Sequence, residues 1–154
     1  LRVAQAIEAG LSFAEIIEKV EEWIAQTRIY VDVDTLKYMV RGGRVSPMQG
    51  LIAKILNLKP IIGLDDTGKA RAYGKSFSRQ ANMKKILALV QSRVKEDNIW
   101  NYAIVHAHNP QRAQDYADRL TTITGKAPLY IMELSPVVGV HNGIGAVGIG
   151  IMNR

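Results

Sequence analysis

The sequence predicts an α/β domain with α+β character, in which helices cover a mixed β-sheet of about six strands. Runs rich in β-branched and aromatic residues alternate with runs whose apolar residues recur at helical spacing, a pattern typical of helices packed on a sheet. In addition, turns at 65–68 and 141–143 each lie between two β-prone runs. These turns predict antiparallel hairpins within the sheet.

Most of the predicted helices begin at a polar cap. Ser12 and Glu15 can form a capping box, Ser78 can cap a long helix, and Pro47 suits a first helical turn. Gly10 and Gly125 are placed to end helices. The predicted helices span 1–10, 13–26, 36–40, 48–56, 79–95 and 111–124.

The predicted strands are short runs bounded by Gly, Pro, Asn or Asp. They span 28–33, 60–64, 70–75, 100–108 and 129–134. A last hairpin is predicted to pair 137–140 with 145–151 through a His-Asn-Gly turn. Asn and Gly favour such a turn because both accept a positive φ.

The glycines of this last hairpin point to a binding surface. Gly143, Gly145, Gly148 and Gly150 remove side chains from one run, so main-chain N–H groups are expected to be open. His141 lies at the edge of that surface, and an imidazole beside N–H donors can hold a carboxylate or a phosphate. The alternative is a hydrogen-bonded turn residue without a ligand.

Residues 143–148 also match G-x-G-x-x-G. A dinucleotide-binding site needs a preceding strand, a following helix and an acidic residue about 20 residues further on. The sequence after 148 supplies neither the helix nor the acid, so this type of site is rejected.

The composition excludes several classes of site. The chain has no cysteine, which excludes disulfides, iron–sulfur clusters and thiol catalysis, and fits a reducing compartment. No apolar run reaches the roughly 18 residues of a membrane span, and no signal-peptide pattern opens the sequence. His106 and His108 alternate on a predicted strand, but no third ligand accompanies them. Neither a metal site nor a cofactor is therefore predicted.

A net charge of +6 favours an anionic partner, which could be a nucleic acid, a membrane surface or an acidic protein. Arg44 and Ser46 belong to a basic glycine turn before a predicted helix, whose free N–H groups could hold an anion. The alternative is a turn with solvated arginines. Arg79 lies in the first turn of the helix 79–95, where a cation opposes the helix dipole unless an anion binds nearby.

Three separated motifs resemble those of one known family. Residues 35–46, TLKYMVRGGRVS, look like the LxYLxxGGRIS signature of the DegV family. Residues 56–62, LNLKPII, look like its LNIKPI segment, and residues 141–148, HNGIGAVG, look like its C-terminal HxGPGxxG motif. The motifs follow the family's order, and the resemblance covers residues 1–151.

The resemblance implies a two-domain protein, of which this chain is the second domain. Residues 1–27 would be helices that link from the missing N-terminal domain, and residues 28–154 would be the DegV-like C-terminal domain. The family binds a long-chain fatty acid and presents its carboxylate to a partner fatty-acid kinase. The protein is thus expected to be a cytoplasmic carrier, not an enzyme. No nucleic-acid partner is expected, and transient contact with a membrane is left as an alternative.

The resemblance also implies roles for individual residues. His141 would contact the fatty-acid carboxylate, and Gly143 and Gly145 would line that end of the site. The polar residues Arg44, Ser46 and Arg79 would contact a phosphate or the partner. The Ser and Thr residues that the family's N-terminal domain contributes are absent, so this chain alone is expected to bind acyl chains weakly or not at all.

Two other functions stay open on the residues alone. The first is a small phosphoryl- or acyl-transfer enzyme that uses His141 as acid, base or nucleophile. Its weakness is the lack of a nearby carboxylate, since Glu133 lies eight residues away. The second is a basic nucleic-acid-binding domain, which is less favoured because Tyr and Trp are not interleaved with Arg and Lys.

Overall fold

In the computed structural model, residues 1–44, 58–65, 67–96 and 98–154 are described. Six strands form one mixed sheet: β1 (Thr27–Asp32), β2 (Lys59–Leu64), β3 (Ala70–Ser76), β4 (Ile99–His106), β5 (Ile131–Glu133) and β6 (Val147–Asn153). Their order is β3-β2-β1-β6-β4-β5. All neighbours are antiparallel except β4 and β5, which are parallel. The predicted fold class is confirmed.

The helices of the described residues are α1 (Arg2–Glu8), α2 (Phe13–Ala25), α3 (Lys37–Arg41), α4 (Arg79–Glu96), α5 (Pro110–Thr124) and α6 (Pro136–Asn142). Several predicted helix ends are confirmed. Ser12 and Glu15 form the capping box at the start of α2, and Gly125 ends α5 with a φ of 68°. Asn109 caps α5, and Pro110 follows in its first turn. The predicted helix 48–56 lies outside the described residues.

One face of the sheet packs on α4 and α5. Alternate residues of each strand point to this face, among them Tyr102 and Ile104 of β4 and Ile149 of β6. They form one buried cluster with Ile86 of α4 and Leu120 of α5. Burial of this many large apolar side chains makes the layer the main core of the domain.

The opposite face carries two smaller clusters. Val33, Leu36, Met39, Leu58, Ile62 and Ala146 pack α3 against the sheet. Ala6, Ile16 and Trp23 pack α1 and α2 together, and Met152 of β6 contacts them. The α3 cluster thereby fixes a helix beside the segment that connects α6 to β6.

The predicted last hairpin is wrong. Residues 136–142 form the helix α6, and β6 lies in the middle of the sheet between β1 and β4. Pro136 occupies the first turn of α6, where its fixed φ favours a helix, and Gly143 ends the helix with a φ of 81°. Because β6 pairs with strands on both sides, tertiary pairing overrides the local hairpin signal.

The two histidines at 106 and 108 do not share one face of a strand, contrary to the prediction from the sequence. β4 ends at His106, which is buried and accepts a hydrogen bond from the Asn109 N–H at 3.3 Å. His108 lies beyond the strand with a φ of 51°, so the strand alternation does not reach it. Within the described residues, no three His, Cys, Asp or Glu side chains are grouped to hold a metal ion. In the same part of the chain, no helix has the length and apolar character of a membrane span.

Candidate functional site

The candidate site lies where α3 and α6 meet. His141 is half-buried in the last turn of α6, and its imidazole lies directly against Gly42, just after α3. A β-carbon at position 42 would overlap the His141 Nδ1. The close approach of the ring therefore depends on glycine at position 42.

The two ring nitrogens of His141 lie in different surroundings. Nδ1 is buried and has no hydrogen-bond partner among the described residues, whereas Nε2 is not one of the buried unpaired atoms. A buried N–H without an acceptor is costly, so the neutral ring keeps its proton on Nε2. In that tautomer the Nε2–H is the hydrogen-bond donor of the ring.

Two glycines beyond α6 let neighbouring side chains come close. Gly143 has a φ of 81° and a ψ of 163°, and the Tyr38 ring lies where its β-carbon would be. Gly145 has a φ of 88°, and its carbonyl accepts hydrogen bonds from Arg79 Nη2 at 2.5 Å and from Asn109 Nδ2 at 3.2 Å. The sequence analysis named Gly143, Gly145 and Arg79, and it missed Tyr38 and Asn109.

The main-chain N–H groups of Gly143, Gly145 and Ala146 are used within the fold. Gly143 donates to the Gly139 carbonyl at 2.8 Å, Gly145 to the Ala107 carbonyl at 2.7 Å, and Ala146 to the Gly143 carbonyl at 3.3 Å. The two glycines of β6, at 148 and 150, lie in a strand paired on both sides. The expectation of open N–H donors is therefore wrong, because turn and sheet bonds use them.

The Arg79 guanidinium is held by protein groups. Besides its bond to Gly145, its Nε lies 3.8 Å from Asp34 Oδ1, and Lys59 Nζ donates to the same oxygen at 2.7 Å. The Lys59 hydrogen bond, with smaller help from nearby positive charges, lowers the pKa of Asp34. Arg79 Nη2 thus has an acceptor within the chain, whereas its buried Nε has no hydrogen-bond partner among the described residues.

A buried polar network lies behind Arg79. Asp32 at the end of β1 is fully buried, and its Oδ2 accepts from Arg112 Nε at 2.8 Å and Nη2 at 2.5 Å. Tyr116 Oη donates to the same oxygen at 3.0 Å, and Asn82 Nδ2 donates to Oδ1 at 2.8 Å. Burial and the Asp32 charge raise the pKa of Tyr116. The sequence analysis missed this network, although an aspartate inside the apolar strand 28–33 is a signal for it.

An open, mainly apolar groove of about 320 Å³ adjoins the site. Its apolar lining comes from Tyr38, Ala107, Leu134, Pro136, Val140 and Ile144, and Gly139 and Gly143 also line it. His108 and Glu133 also line the groove, and the distance between His108 Nδ1 and Glu133 Oε1 is 3.8 Å. Val140 and Ile144 stay 62% and 69% exposed, so the groove presents apolar surface to solvent.

The remaining candidates are less connected to His141. Arg44 is exposed just after α3, and its N–H donates to the Met39 carbonyl at 2.9 Å. Ser46 lies outside the described residues. The structure thus brings His141 to Gly42, and Arg79 to Gly145, within one corner of the fold.

Comparison with known proteins identifies one family. The whole chain, residues 1–154, matches the model of the DegV family, which is described as a family of uncharacterised proteins. A DegV domain-containing protein of Clostridium acetobutylicum is 29% identical over 152 residues, covering 97% of this chain and 53% of that protein. The chain therefore spans about half the length of the curated relatives it matches.

Solved structures with the same fold include two DegV proteins described as fatty acid binding. The protein of Streptococcus agalactiae has a TM-score of 0.86 and 25% identity, and the match covers 99% of this chain and 53% of that one. The protein of Bacillus subtilis has a TM-score of 0.82 and 28% identity, with 99% and 54% covered.

Proposed function

Because this chain belongs to the DegV family, we propose that it forms the carboxylate-binding end of a long-chain fatty-acid site in a carrier protein. The similar proteins of Streptococcus agalactiae and Bacillus subtilis are described as fatty acid binding. The observation that carries the proposal within this chain is the half-buried ring of His141, which is held against Gly42 with its Nδ1 buried.

The His141 ring suits a carboxylate. Its Nε2–H can donate one hydrogen bond to a carboxylate oxygen, and protonation of the ring would add a charge-assisted bond. The ring cannot turn freely, because it lies against Gly42. A donor that is fixed before binding costs little entropy when the ligand arrives.

The apolar groove suits an acyl chain. It begins at Gly143, two residues from His141, and Val140 and Ile144 leave much of their surface exposed in it. Covering this surface with an acyl chain contributes about 0.8 kcal/mol per buried CH₂. A polar end at His141 beside an apolar groove matches the two chemical parts of a fatty acid.

The assignment as a carrier extends this proposal. We place the chain as the C-terminal domain of a longer cytoplasmic protein, with residues 1–27 as linking helices and an N-terminal domain that completes the site. A partner fatty-acid kinase phosphorylates the presented carboxylate, and Arg44, Ser46 and Arg79 contact the phosphate or the partner. Within the described residues no carboxylate contacts the His141 ring, which favours a binding role for this residue over an acid–base role.

Stearate binding to the full-length protein tests the proposal. His141→Ala is expected to weaken stearate affinity at least about tenfold, because it removes a hydrogen bond to a charged group. The matched control is Asn142→Ala, since among the described residues the Asn142 side chain bonds within α6, to the Val138 carbonyl. Equal affinities for the wild type and His141→Ala would overturn the role of His141, and no stearate binding by the wild type would overturn the lipid function.

A further inference from the structure

Two residues at the start of α5 hold Gly145, one directly and one through Arg79. Asn109, the cap of α5, donates directly to the Gly145 carbonyl. Arg112, one turn later, donates through Nη2 to the Arg79 carbonyl at 2.6 Å, and the Arg79 side chain donates to the same Gly145 oxygen. Gly145 is therefore held from two sides by residues that α5 positions.

Arg112 is itself fixed by a buried acceptor. Its Nε and Nη2 both donate to Asp32, and Asp32 has no exposed surface. The other two donors to Asp32, Tyr116 and Asn82, belong to α5 and α4. A guanidinium held by such a fork has one orientation, so its bond to the Arg79 carbonyl is directional.

This network joins the two helices that flank the site. Asn82 and Arg79 lie on α4, Arg112 and Tyr116 lie on α5, and Asp32 lies at the end of β1. A buried carboxylate that accepts four hydrogen bonds cannot move without leaving one of them unmade, which is costly. The first turn of α4, and with it Arg79, is thereby locked to the sheet.

We infer that Arg112, held by Asp32, is a positioning residue of the carboxylate end: it fixes Arg79, and through Arg79 the Gly145 segment that follows His141. The inference rests on the proposed function for its effect on ligand binding. Its structural part, the control of Gly145 by Arg112, is independent of any ligand.

The test uses Arg112→Lys in the full-length protein. Lysine keeps a positive charge near Asp32 but cannot donate as a planar fork to Asp32 and to the Arg79 carbonyl together. Stearate affinity is expected to fall about tenfold, as is typical when a supporting residue of a binding site is lost. The control is Arg119→Lys, an exposed position on the same helix, which is expected to change nothing.

A double-mutant cycle distinguishes the positioning role of Arg112 from a merely structural role. In the Arg79→Lys background, Arg112→Lys is expected to cause less than a twofold further loss of affinity. The main-chain carbonyl of residue 79 remains, but the guanidinium that Arg112 positions against Gly145 is gone. Full addition of the two losses would overturn the inference.

Hydrogen exchange of the Gly145 amide gives a readout without ligand. Arg112→Lys and Arg79→Lys are both expected to speed its exchange at least about tenfold, and Arg119→Lys is not. If the wild type binds no stearate, the proposed function fails and this exchange alone decides the inference. Unchanged exchange at Gly145 in Arg112→Lys would overturn the inference.

A second variant covers the case in which Arg112→Lys does not fold. Tyr116→Phe removes one bond to Asp32, and it is tested with the same readouts and a smaller expected change.

Discussion

The imidazole of His141 lies against the backbone of Gly42, in a space that a single β-carbon would fill. The two residues are far apart in the chain, and they meet because α3 and α6 pack together. Gly42 is therefore part of the candidate site, although it has no side chain.

Gly42→Ala is expected to weaken stearate binding by the full-length protein about tenfold, because the new methyl group displaces the ring from its position. Gly150→Ala is the matched control, since it lies in β6 rather than along the groove and its added β-carbon meets nothing within 4 Å. In a His141→Ala background the methyl group has no ring to displace, so Gly42→Ala should then have little effect. A loss of similar size in both backgrounds, measured by titration, would contradict this contact.

Gly143→Ala is expected to destabilise the domain by about 1–3 kcal/mol. Its φ of 81° and ψ of 163° belong to a region that is essentially restricted to glycine, and Tyr38 occupies the space of a β-carbon. Urea unfolding measures the loss. Gly150→Ala is the comparison, since its β-carbon meets nothing within 4 Å. Equal stability of the two variants would show that the turn after α6 is not constrained as described.

Lowering the pH should weaken the ion pair between Lys59 and Asp34, which lies just after β1. The Lys59 hydrogen bond lowers the pKa of Asp34 from its ordinary 3.8, with smaller contributions from Arg79 and Arg112. A lowered folded-state pKa means that the stabilisation is present above the ordinary pKa and is lost as the pH falls through the folded value. Because Asp34 is 43% exposed, the effect is modest.

Asp34→Asn isolates this contribution. The variant should be less stable than the wild type at pH 6, and the difference should shrink as the pH falls below 3.8. Lys59 also donates to the Asp34 main-chain carbonyl at 2.9 Å, and this bond remains in the variant. Chemical unfolding at several pH values measures the difference, and a difference that stays constant down to pH 2 would rule out the ion pair as its source.

Local signals predicted most of the fold. The capping box of Ser12 and Glu15, the glycine end of α5 and the hairpin of β2 and β3 each depend on a few neighbouring residues. The last hairpin was wrong because β6 owes its position to pairing with β1 and β4, which are distant in the sequence. The Val-Val-Gly-Val run favours a strand locally, and only the placement of Pro136 points to a helix.

The site was predicted in part, for the same reason. His141 could be named from its motif. Tyr38 and Gly42 lie in the motif at 35–46, but their contacts with Gly143 and His141 join segments about a hundred residues apart, so no local pattern gave them a role in the site. The Asp32 network joins residues 50 to 84 positions apart, so sequence spacing gives no sign of the partners. The N–H donors of Gly143 and Gly145 were expected to be open because their acceptors, Gly139 and Ala107, only become visible in the folded chain.

His141 is proposed to bind the carboxylate of the ligand through its ring. The ¹H–¹⁵N spectrum of the histidine rings, recorded on the full-length protein with and without stearate, tests it most directly, and His141→Ala assigns the signals. We expect the His141 signals to move when stearate is added, while those of buried His106 stay. Stearate that binds and leaves the His141 signals unmoved would contradict the claim.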